Sequence, residues 1–212
     1  MYYIPRLIEN NIRNYFKIHE PPYNCLLLSG VRQCGKSTLL EHLYPTNEHI
    51  HINLALESAF CDAIDNTKSF DDFTFLIETK YNYKIGEEKI IIIDEAQLSK
   101  KFGAYIRFIK EKWKIQKVIV TGSTLSDLFE DHPKPTGRIY EFILRPFNFF
   151  EFLTSLKKEV IIEKIKNWSI YLPHSETIHH EIIKLMQEYL IVRGLPEVVS
   201  TYADNKDYLG LL

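Results

Sequence analysis

The sequence has few cysteines and no paired cysteine motif. Its 212 residues include Cys25, Cys34 and Cys61, and no two of them are spaced as C-x-x-C. An odd number of widely spaced thiols favours neither a disulfide framework nor a structural zinc site. Because such thiols are typical of a reducing compartment, we expect a cytoplasmic location.

Long hydrophobic runs and a strong net charge are also missing. No run approaches the roughly 18 apolar residues of a membrane span, and the first residues lack the apolar region of a secretory signal. We therefore expect neither secretion nor membrane association. The formal net charge is -2, which gives no electrostatic footprint for nucleic acid. Direct nucleic-acid binding by this segment is not expected.

What the sequence does contain is a complete phosphate-binding loop. Residues 30–37 read G-V-R-Q-C-G-K-S, between an apolar run at 25–28 and a helical pattern at 38–43. In this context backbone N–H groups and the positive end of a helix dipole meet a phosphate. Two glycines let the main chain curl around the anion, a lysine supplies a mobile charge for the β- and γ-phosphates, and a serine offers a hydroxyl to Mg²⁺. The predicted nucleotide-binding residues are Gly30, Val31, Arg32, Gln33, Cys34, Gly35, Lys36, Ser37 and Thr38.

An acidic pair follows a second apolar run. Residues 90–93 are four isoleucines, typical of a central parallel strand covered on both faces, and Asp94 and Glu95 come next. Ligands bind at the carboxyl ends of strands in an open parallel sheet, so the pair would face the P-loop if the two strands are neighbours. We predict that Asp94 binds Mg²⁺ together with Ser37, and that Glu95 orients or deprotonates the attacking water. The competing interpretation is an ordinary helix N-cap.

Three further segments have strand patterns. Residues 49–54 alternate polar and apolar, as an edge strand does, and we expect His49 and His51 to be solvated rather than zinc ligands. Residues 117–120 are apolar and lead to Ser123 and Thr124, which would lie between the phosphate site and the acidic pair. We expect Ser123 or Thr124 to contact the γ-phosphate or the attacking water, with a simple turn as the alternative. Residues 139–144 alternate after Gly137 and Arg138. Arg138 is a candidate catalytic charge stabiliser, from its own or a neighbouring subunit, or else an ordinary surface arginine.

These elements predict an α/β architecture. Helical patterns at 57–81, with a turn near 66–69, and at 102–113 separate the strands. From residue 146 onward the pattern is helical and aromatic. We therefore predict a P-loop NTPase three-layer sandwich with a mostly parallel sheet in residues 1–145, followed by a partial helical lid in residues 146–212.

The motifs occur in the order seen in one known family. They are the P-loop, I-I-I-I-D-E-A-Q at 90–97, V-I-V-T-G-S-T at 118–124, Gly137-Arg138, the aromatic segment 146–153 and G-L-P at 194–196. The sequence resembles the prokaryotic AAA-type ATPases of the AAA+ superfamily, which are usually described only as ATP-binding proteins. The resemblance implies ATP as the nucleotide, Ser123 as a sensor-like hydroxyl and residues 3–6 as a segment leading toward the adenine. It also implies a further C-terminal domain beyond the end of this sequence. Arg193 is a departure, because relatives often have a second glycine there.

Three functions remain open at this stage. The first is Mg²⁺-dependent ATP hydrolysis that drives a conformational change for an unidentified protein partner. The second is a nucleotide-gated interaction module that hydrolyses slowly, and the third is a small-molecule kinase, for which no acceptor pocket is visible. GTP is disfavoured because the N-K-x-D guanine signature is absent. A homo-oligomer is compatible with all three.

Overall fold

Five parallel strands form one sheet. The computed structural model describes residues 3–130, 133–171 and 175–205. The strands are β1 (Cys25–Ser29), β2 (His49–Asn53), β3 (Ile90–Asp94), β4 (Val118–Gly122) and β5 (Ile139–Ile143). Their order across the sheet is β2-β3-β4-β1-β5, and every pairing is parallel. The strand predictions and the α/β class are thereby confirmed, and β2 is an edge strand as its alternation predicts.

One α-helix precedes the strands, and four more lie between β1 and β4. They are α1 (Glu9–Ile18), α2 (Lys36–Leu43), α3 (Ser58–Asn66), α4 (Phe70–Tyr81) and α5 (Phe102–Lys112). The predicted turn between α3 and α4 is present, and Ser69 accepts a hydrogen bond from the N–H of Asp72 as the N-cap of α4. The predicted apolar stripe of α5 is buried, with Phe102 and Ile106 fully inaccessible.

Both faces of the sheet are covered. Every residue of β3 and β4 is buried, as expected of central strands with helices on each side. On one face, a continuous core joins alternate strand residues such as Leu27 and Ile93 to side chains of α3, α4 and α5. On the other face, the ring of Tyr15 in α1 contacts the rings of Tyr140 and Phe142 in β5. The chain is therefore a layered α/β structure with a P-loop NTPase arrangement.

The carboxyl part of the chain is helical. It contains α6 (Phe149–Ser155), α7 (Glu159–Lys166), α8 (Glu176–Val192) and α9 (Pro196–Asn205). Its core contains Phe147 and residues of α6, α8 and α9, and Ile4 from the start of the chain also belongs to it. No helix among the described residues has the length and apolarity that a bilayer crossing requires.

The chain divides into two contact units. One, which we call the sheet unit, comprises Ile8–Arg32 and Lys36–Leu144. The other, which we call the terminal unit, comprises the described residues within Met1–Leu7, Gln33–Gly35 and Arg145–Leu212. Each is described by itself below. That residues 1–145 and 146–212 are separate domains stays a prediction.

Candidate functional site

The predicted P-loop joins the end of β1 to the start of α2. β1 ends at Ser29 and α2 begins at Lys36, so the expected strand, loop and helix are present. Gly35 has a φ of +89°, a left-handed conformation that favours glycine. The Lys36 side chain is buried, and its Nζ donates to the carbonyl oxygens of Gly30 at 2.8 Å and Val31 at 3.2 Å. The ammonium group therefore lies against the carbonyl groups that open the loop.

The other predicted loop residues differ in exposure. Val31, Arg32 and Gln33 are exposed, as is Thr38 in the first turn of α2. Cys34 is fully buried, so its thiol is packed away from solvent. The exposed side chains leave part of the loop accessible to a ligand, whereas the Cys34 side chain is not accessible.

Ser37 and Asp94 meet at the carboxyl edge of the sheet. The Ser37 hydroxyl donates to Asp94 Oδ2 at 2.8 Å, and the N–H of Glu95 donates to Asp94 Oδ1 at 2.9 Å. We expected the acidic pair to face the P-loop if β1 and β3 were neighbouring strands. They are not neighbours, because β4 lies between them. The contact forms nevertheless, since Ser37 lies in the first turn of α2 rather than on the strand.

The donor set at this edge fits Mg²⁺. A serine hydroxyl and a carboxylate oxygen are hard oxygen ligands, and Mg²⁺ is typically bound through one or two such groups together with water and substrate phosphates. Among the described residues no cluster of three histidine, cysteine, aspartate or glutamate side chains suits a metal held by protein alone. Ser37 and Asp94 are the residues that would hold the ion.

His51 lies beside Asp94, a contact that the sequence did not predict. Its Nε2 is 3.6 Å from Asp94 Oδ2, and Asn53 Nδ2 donates to the same oxygen at 3.5 Å. His49 is buried with its Nδ1 3.0 Å from the carbonyl oxygen of Pro45. The expectation that both histidines are solvated is therefore wrong. Alternation along β2 puts His51 and Asn53 on one face, and this was the available signal.

The shared contacts shift two pKa values in opposite directions. Interaction with the Asp94 carboxylate raises the pKa of His51, although burial opposes the shift. Burial raises the pKa of Asp94, but the contacts with His51, Ser37 and the Glu95 N–H outweigh it and hold the value below its usual range. Asp94 is therefore an anion at neutral pH, as a cation ligand must be.

Glu95 is paired with Gln97. Glu95 has a φ of +51°, and its Oε2 accepts a hydrogen bond from Gln97 Nε2 at 2.5 Å. Gln97 Oε1 is buried and lies against Gly122, where an added Cβ would be 2.1 Å from that oxygen. Gln97 Oε1 has no hydrogen-bond partner among the described residues, so Gln97 meets β4 by packing alone while its Nε2 donates to the carboxylate of Glu95. Its role was missed, although its position two residues after Glu95 was the signal.

Ser123 follows β4, which runs between β1 and β3. Gly122 is paired in register with Ser29, so Ser123 is level with the first residue of the P-loop. This placement agrees with the expected position between the phosphate site and the acidic pair. The catalytic role of its hydroxyl stays a prediction.

Arg138 lies at the amino ends of the parallel strands, opposite the carboxyl ends where the P-loop lies. It directly precedes Ile139, which pairs with Cys25 at the start of β1, whereas the P-loop follows the end of β1. Its Nε and Nη2 both donate to Glu111 Oε1, at 2.9 and 2.6 Å. The strand length separates Arg138 from the P-loop, which argues against a role in the site of its own chain. A role in a neighbouring chain stays a prediction.

Within the terminal unit, a buried arginine holds the tip of the P-loop. Arg6 Nη1 donates to the carbonyl oxygen of Cys34 at 2.9 Å, and Arg6 Nε donates to Glu151 Oε1 at 3.0 Å. The resemblance implied that residues 3–6 lead toward the adenine, and it gave no such contact. Arg6 and Cys34 are 28 positions apart in the sequence, so no local pattern predicted their contact.

Comparison with known proteins agrees with this geometry. A family model described as an AAA domain matches residues 22–153. The Walker-type ATPase of Pyrococcus abyssi is similar with a TM-score of 0.52 and 19% identity, over 99% of this chain and 70% of that one. A Signal Transduction ATPase with Numerous Domains from Pyrococcus horikoshii, with a tetratricopeptide repeat sensor, gives a TM-score of 0.52 and 15% identity, over 97% of this chain and 30% of that one.

At these identities the solved structures show the fold alone. None of the curated proteins compared with the chain matches it. The AAA domain match is more direct, because it takes in more than half of the chain, including the P-loop, the acidic pair and Ser123. The chain therefore belongs to the AAA domain family and is an AAA-type P-loop ATPase.

Proposed function

We propose that the chain hydrolyses ATP in a Mg²⁺-dependent reaction. The observation that carries the proposal is the hydrogen bond between the Ser37 hydroxyl and the Asp94 carboxylate. It joins the residue after the P-loop lysine to the acidic end of β3. These are the two groups that hold the cation in P-loop NTPases. When bound, Mg²⁺ would neutralise developing charge on the β- and γ-phosphate oxygens.

The loop residues supply the phosphate contacts in this proposal. Lys36 exchanges the carbonyl oxygens of Gly30 and Val31 for phosphate oxygens, which are stronger acceptors because they are charged. The N–H groups of the loop and of the first turn of α2 face the same phosphates. Ser123 contacts the γ-phosphate or the attacking water from the end of β4.

Glu95 acts on the water. Its carboxylate orients the water or accepts the proton of the water. For this step the hydrogen bond from Gln97 to the carboxylate has to break, or leave an oxygen free to contact the water. Arg138 stabilises the transferring phosphoryl group only from a neighbouring chain, given its place at the amino edge of the sheet. The reaction would drive a conformational change for a protein partner in the cytoplasm.

Two observations support ATP as the nucleotide: the chain belongs to the AAA domain family, and its sequence lacks the N-K-x-D guanine signature. Thermal melting with ATP, GTP or CTP, each with Mg²⁺, compares the three ligands directly. A ligand that binds only the folded chain raises the melting temperature. We expect the largest rise with ATP.

One observation favours a second function, a nucleotide-gated interaction module with slow hydrolysis. The Glu95 carboxylate accepts a hydrogen bond from Gln97 Nε2, and Gln97 Oε1 packs against Gly122. A carboxylate that stays in this bond is a poor base for water. In that case nucleotide binding would change the surface that binds the partner. Slow hydrolysis would only return that surface to its nucleotide-free conformation.

The first prediction concerns Glu95→Gln, which separates the two functions. The amide keeps the size of the side chain but cannot accept the proton, so we expect phosphate release to fall at least about 100-fold. Binding of ATP, measured as a thermal shift, should persist. Release of free phosphate also distinguishes hydrolysis from phosphorylation of a small molecule.

The matched control is Glu88→Gln, the same change at an exposed residue before β3. We expect it to keep the parent rate. Equal and negligible rates in the parent and in Glu95→Gln, with ATP binding intact, would favour the interaction module. No thermal shift of the parent with ATP would remove both functions.

A further inference from the structure

We propose that Arg6 is a positioning residue that turns the Cys34–Gly35 peptide so that the Gly35 N–H faces the bound phosphate. The proposal rests on the nucleotide-binding function proposed above and adds a residue outside the family's P-loop and acidic motifs. All of the contacts that carry it lie within the terminal unit.

Arg6 is buried and uses its guanidinium group in three directions. Nε donates to Glu151 Oε1 at 3.0 Å, Nη1 donates to the Cys34 carbonyl oxygen at 2.9 Å, and Nη2 donates to the Arg145 carbonyl oxygen at 2.5 Å. The guanidinium carbon lies 4.5 Å from the centre of the Phe147 ring. A planar fork held at three points and against a ring has one orientation.

Glu151 is fixed as firmly as Arg6. Its Oε2 accepts from the N–H of Asn148 at 2.9 Å, while Asn148 Oδ1 accepts from the N–H of Glu151 at 2.9 Å. This reciprocal pair is the capping box that begins α6. Oε1 also accepts from the N–H of Leu7 at 3.0 Å. Because both partners of the buried ion pair are satisfied, the pair is a rigid support for whatever Arg6 holds.

The third direction of the fork reaches the P-loop. In a planar trans peptide the carbonyl oxygen and the following N–H point in opposite directions. Holding the Cys34 oxygen toward Arg6 therefore points the Gly35 N–H away from Arg6. Phosphate binding by such loops depends on N–H groups that face the anion while the carbonyl oxygens point elsewhere.

Packing does not fix the Gly35 peptide, because its neighbours leave room even for an added Cβ. Its φ of +89° is accessible to glycine, and an added Cβ would lie 3.6 Å from Pro196 Cγ and 3.9 Å from Arg6 Nη1. Glycine has more backbone freedom than any other residue, so this peptide needs an external hydrogen bond to keep one orientation. Arg6 supplies that bond, and the peptide is already oriented when phosphate arrives.

The experiment compares Arg6→Lys with the parent. Lysine keeps the charge but cannot donate to Glu151, Cys34 and Arg145 from one rigid plane. We expect the KM for ATP to rise about 10-fold or more while kcat changes less than threefold. Arg13→Lys, the same change at an exposed residue of α1, is the matched control and should keep the parent KM.

A second readout needs no nucleotide. Labelling glycine with ¹⁵N and the cysteine carbonyl with ¹³C identifies the amide resonance of Gly35, because Cys34-Gly35 is the only Cys-Gly step in the sequence. This resonance reports the hydrogen bond at the preceding carbonyl. We expect this resonance to move in Arg6→Lys and to move less in Glu151→Gln, which keeps one acceptor oxygen for Arg6. Glu151→Gln is also the milder variant if Arg6→Lys folds poorly.

The outcomes are distinct. A lower melting temperature in Arg6→Lys with the parent KM and an unmoved Gly35 resonance would show a structural role only and overturn the proposal. If the parent does not bind ATP, the proposed function fails, but the Gly35 resonance still decides whether Arg6 orients the peptide. A moved resonance in both variants, together with a raised KM, supports the proposal.

Discussion

The sheet unit and the terminal unit join distant parts of the chain by different kinds of contact. In the sheet unit, consecutive strands and helices pack on one another, and Ser37 and Asp94 extend from adjoining ends of those elements. In the terminal unit, the central ion pair joins Arg6 to Glu151, 145 residues away, and Ile4 packs with residues of α9. Distant segments meet in both units, but the sheet unit joins them through the backbone ladders of parallel strands, such as β1 with β5, and the terminal unit joins them through buried side chains.

This difference determines which residues tolerate change. The chemistry-bearing side chains of the sheet unit lie at strand ends, where substitution alters a reaction more than the fold. In the terminal unit Arg6, which donates to the Cys34 carbonyl oxygen, also packs against Phe147 of the core. Stability and function should therefore be harder to separate there, and the predictions below test that contrast.

The largest effect on stability is expected for Gly194→Ala in the terminal unit. An added Cβ would lie 2.2 Å from the Phe147 carbonyl oxygen and 2.9 Å from its nitrogen, both backbone atoms. The same segment carries the hydrogen bond from the Phe147 N–H to the Gly194 carbonyl oxygen at 2.6 Å. We expect the free energy of unfolding to fall by about 2–3 kcal/mol, measured by urea denaturation.

The matched substitution in the sheet unit is Gly137→Ala. Its Cβ would meet no described atom within 4 Å, but the φ of +75° leaves backbone strain. A cost of about 1 kcal/mol is expected there. Equal losses in the two variants would mean that the close backbone contact at Gly194 costs no more than the positive φ at Gly137.

Much of the fold could be predicted because its signals are local. Continuous apolar runs identified β1, β3 and β4, since strands buried on both faces need no polar alternation. The place of β4 between β1 and β3 could not be predicted, because strand order depends on crossovers rather than on any one segment. The sequence therefore predicted the elements better than their arrangement.

The site divides along the same line. Lys36, Ser37 and Asp94 could be located because the chemistry requires fixed spacing from a strand end. His51 was misjudged because its contact with Asp94 appears only once β2 and β3 are paired in register. Arg6 was missed as a loop contact because its partners are far away along the chain.

A smaller, opposite effect is expected for Arg193→Gly, also in the terminal unit. Arg193 ends α8 with φ 63° and ψ -159°, a region occupied almost only by glycine. Removing the Cβ relieves strain, although the freer unfolded chain offsets part of the gain. We expect the free energy of unfolding to rise by about 1 kcal/mol.

Arg193→Ala is the control for this prediction, because it removes the exposed side chain and keeps the Cβ. It should be close to neutral in the same urea titration. If alanine stabilises as much as glycine, the gain comes from the lost arginine side chain and not from the backbone.

The smallest effect is expected for Arg138→Ala at the amino edge of the sheet unit. Its ion pair with Glu111 is exposed on both sides, so its loss should change stability by no more than about 0.5 kcal/mol. In dilute protein we expect the rate of phosphate release per chain to stay within twofold of the parent. A large loss at all concentrations would contradict the placement of Arg138 away from its own P-loop. If instead the parent rate per chain rises with concentration and the variant rate does not, Arg138 acts on a neighbouring chain, and the amino edge becomes part of the site through assembly.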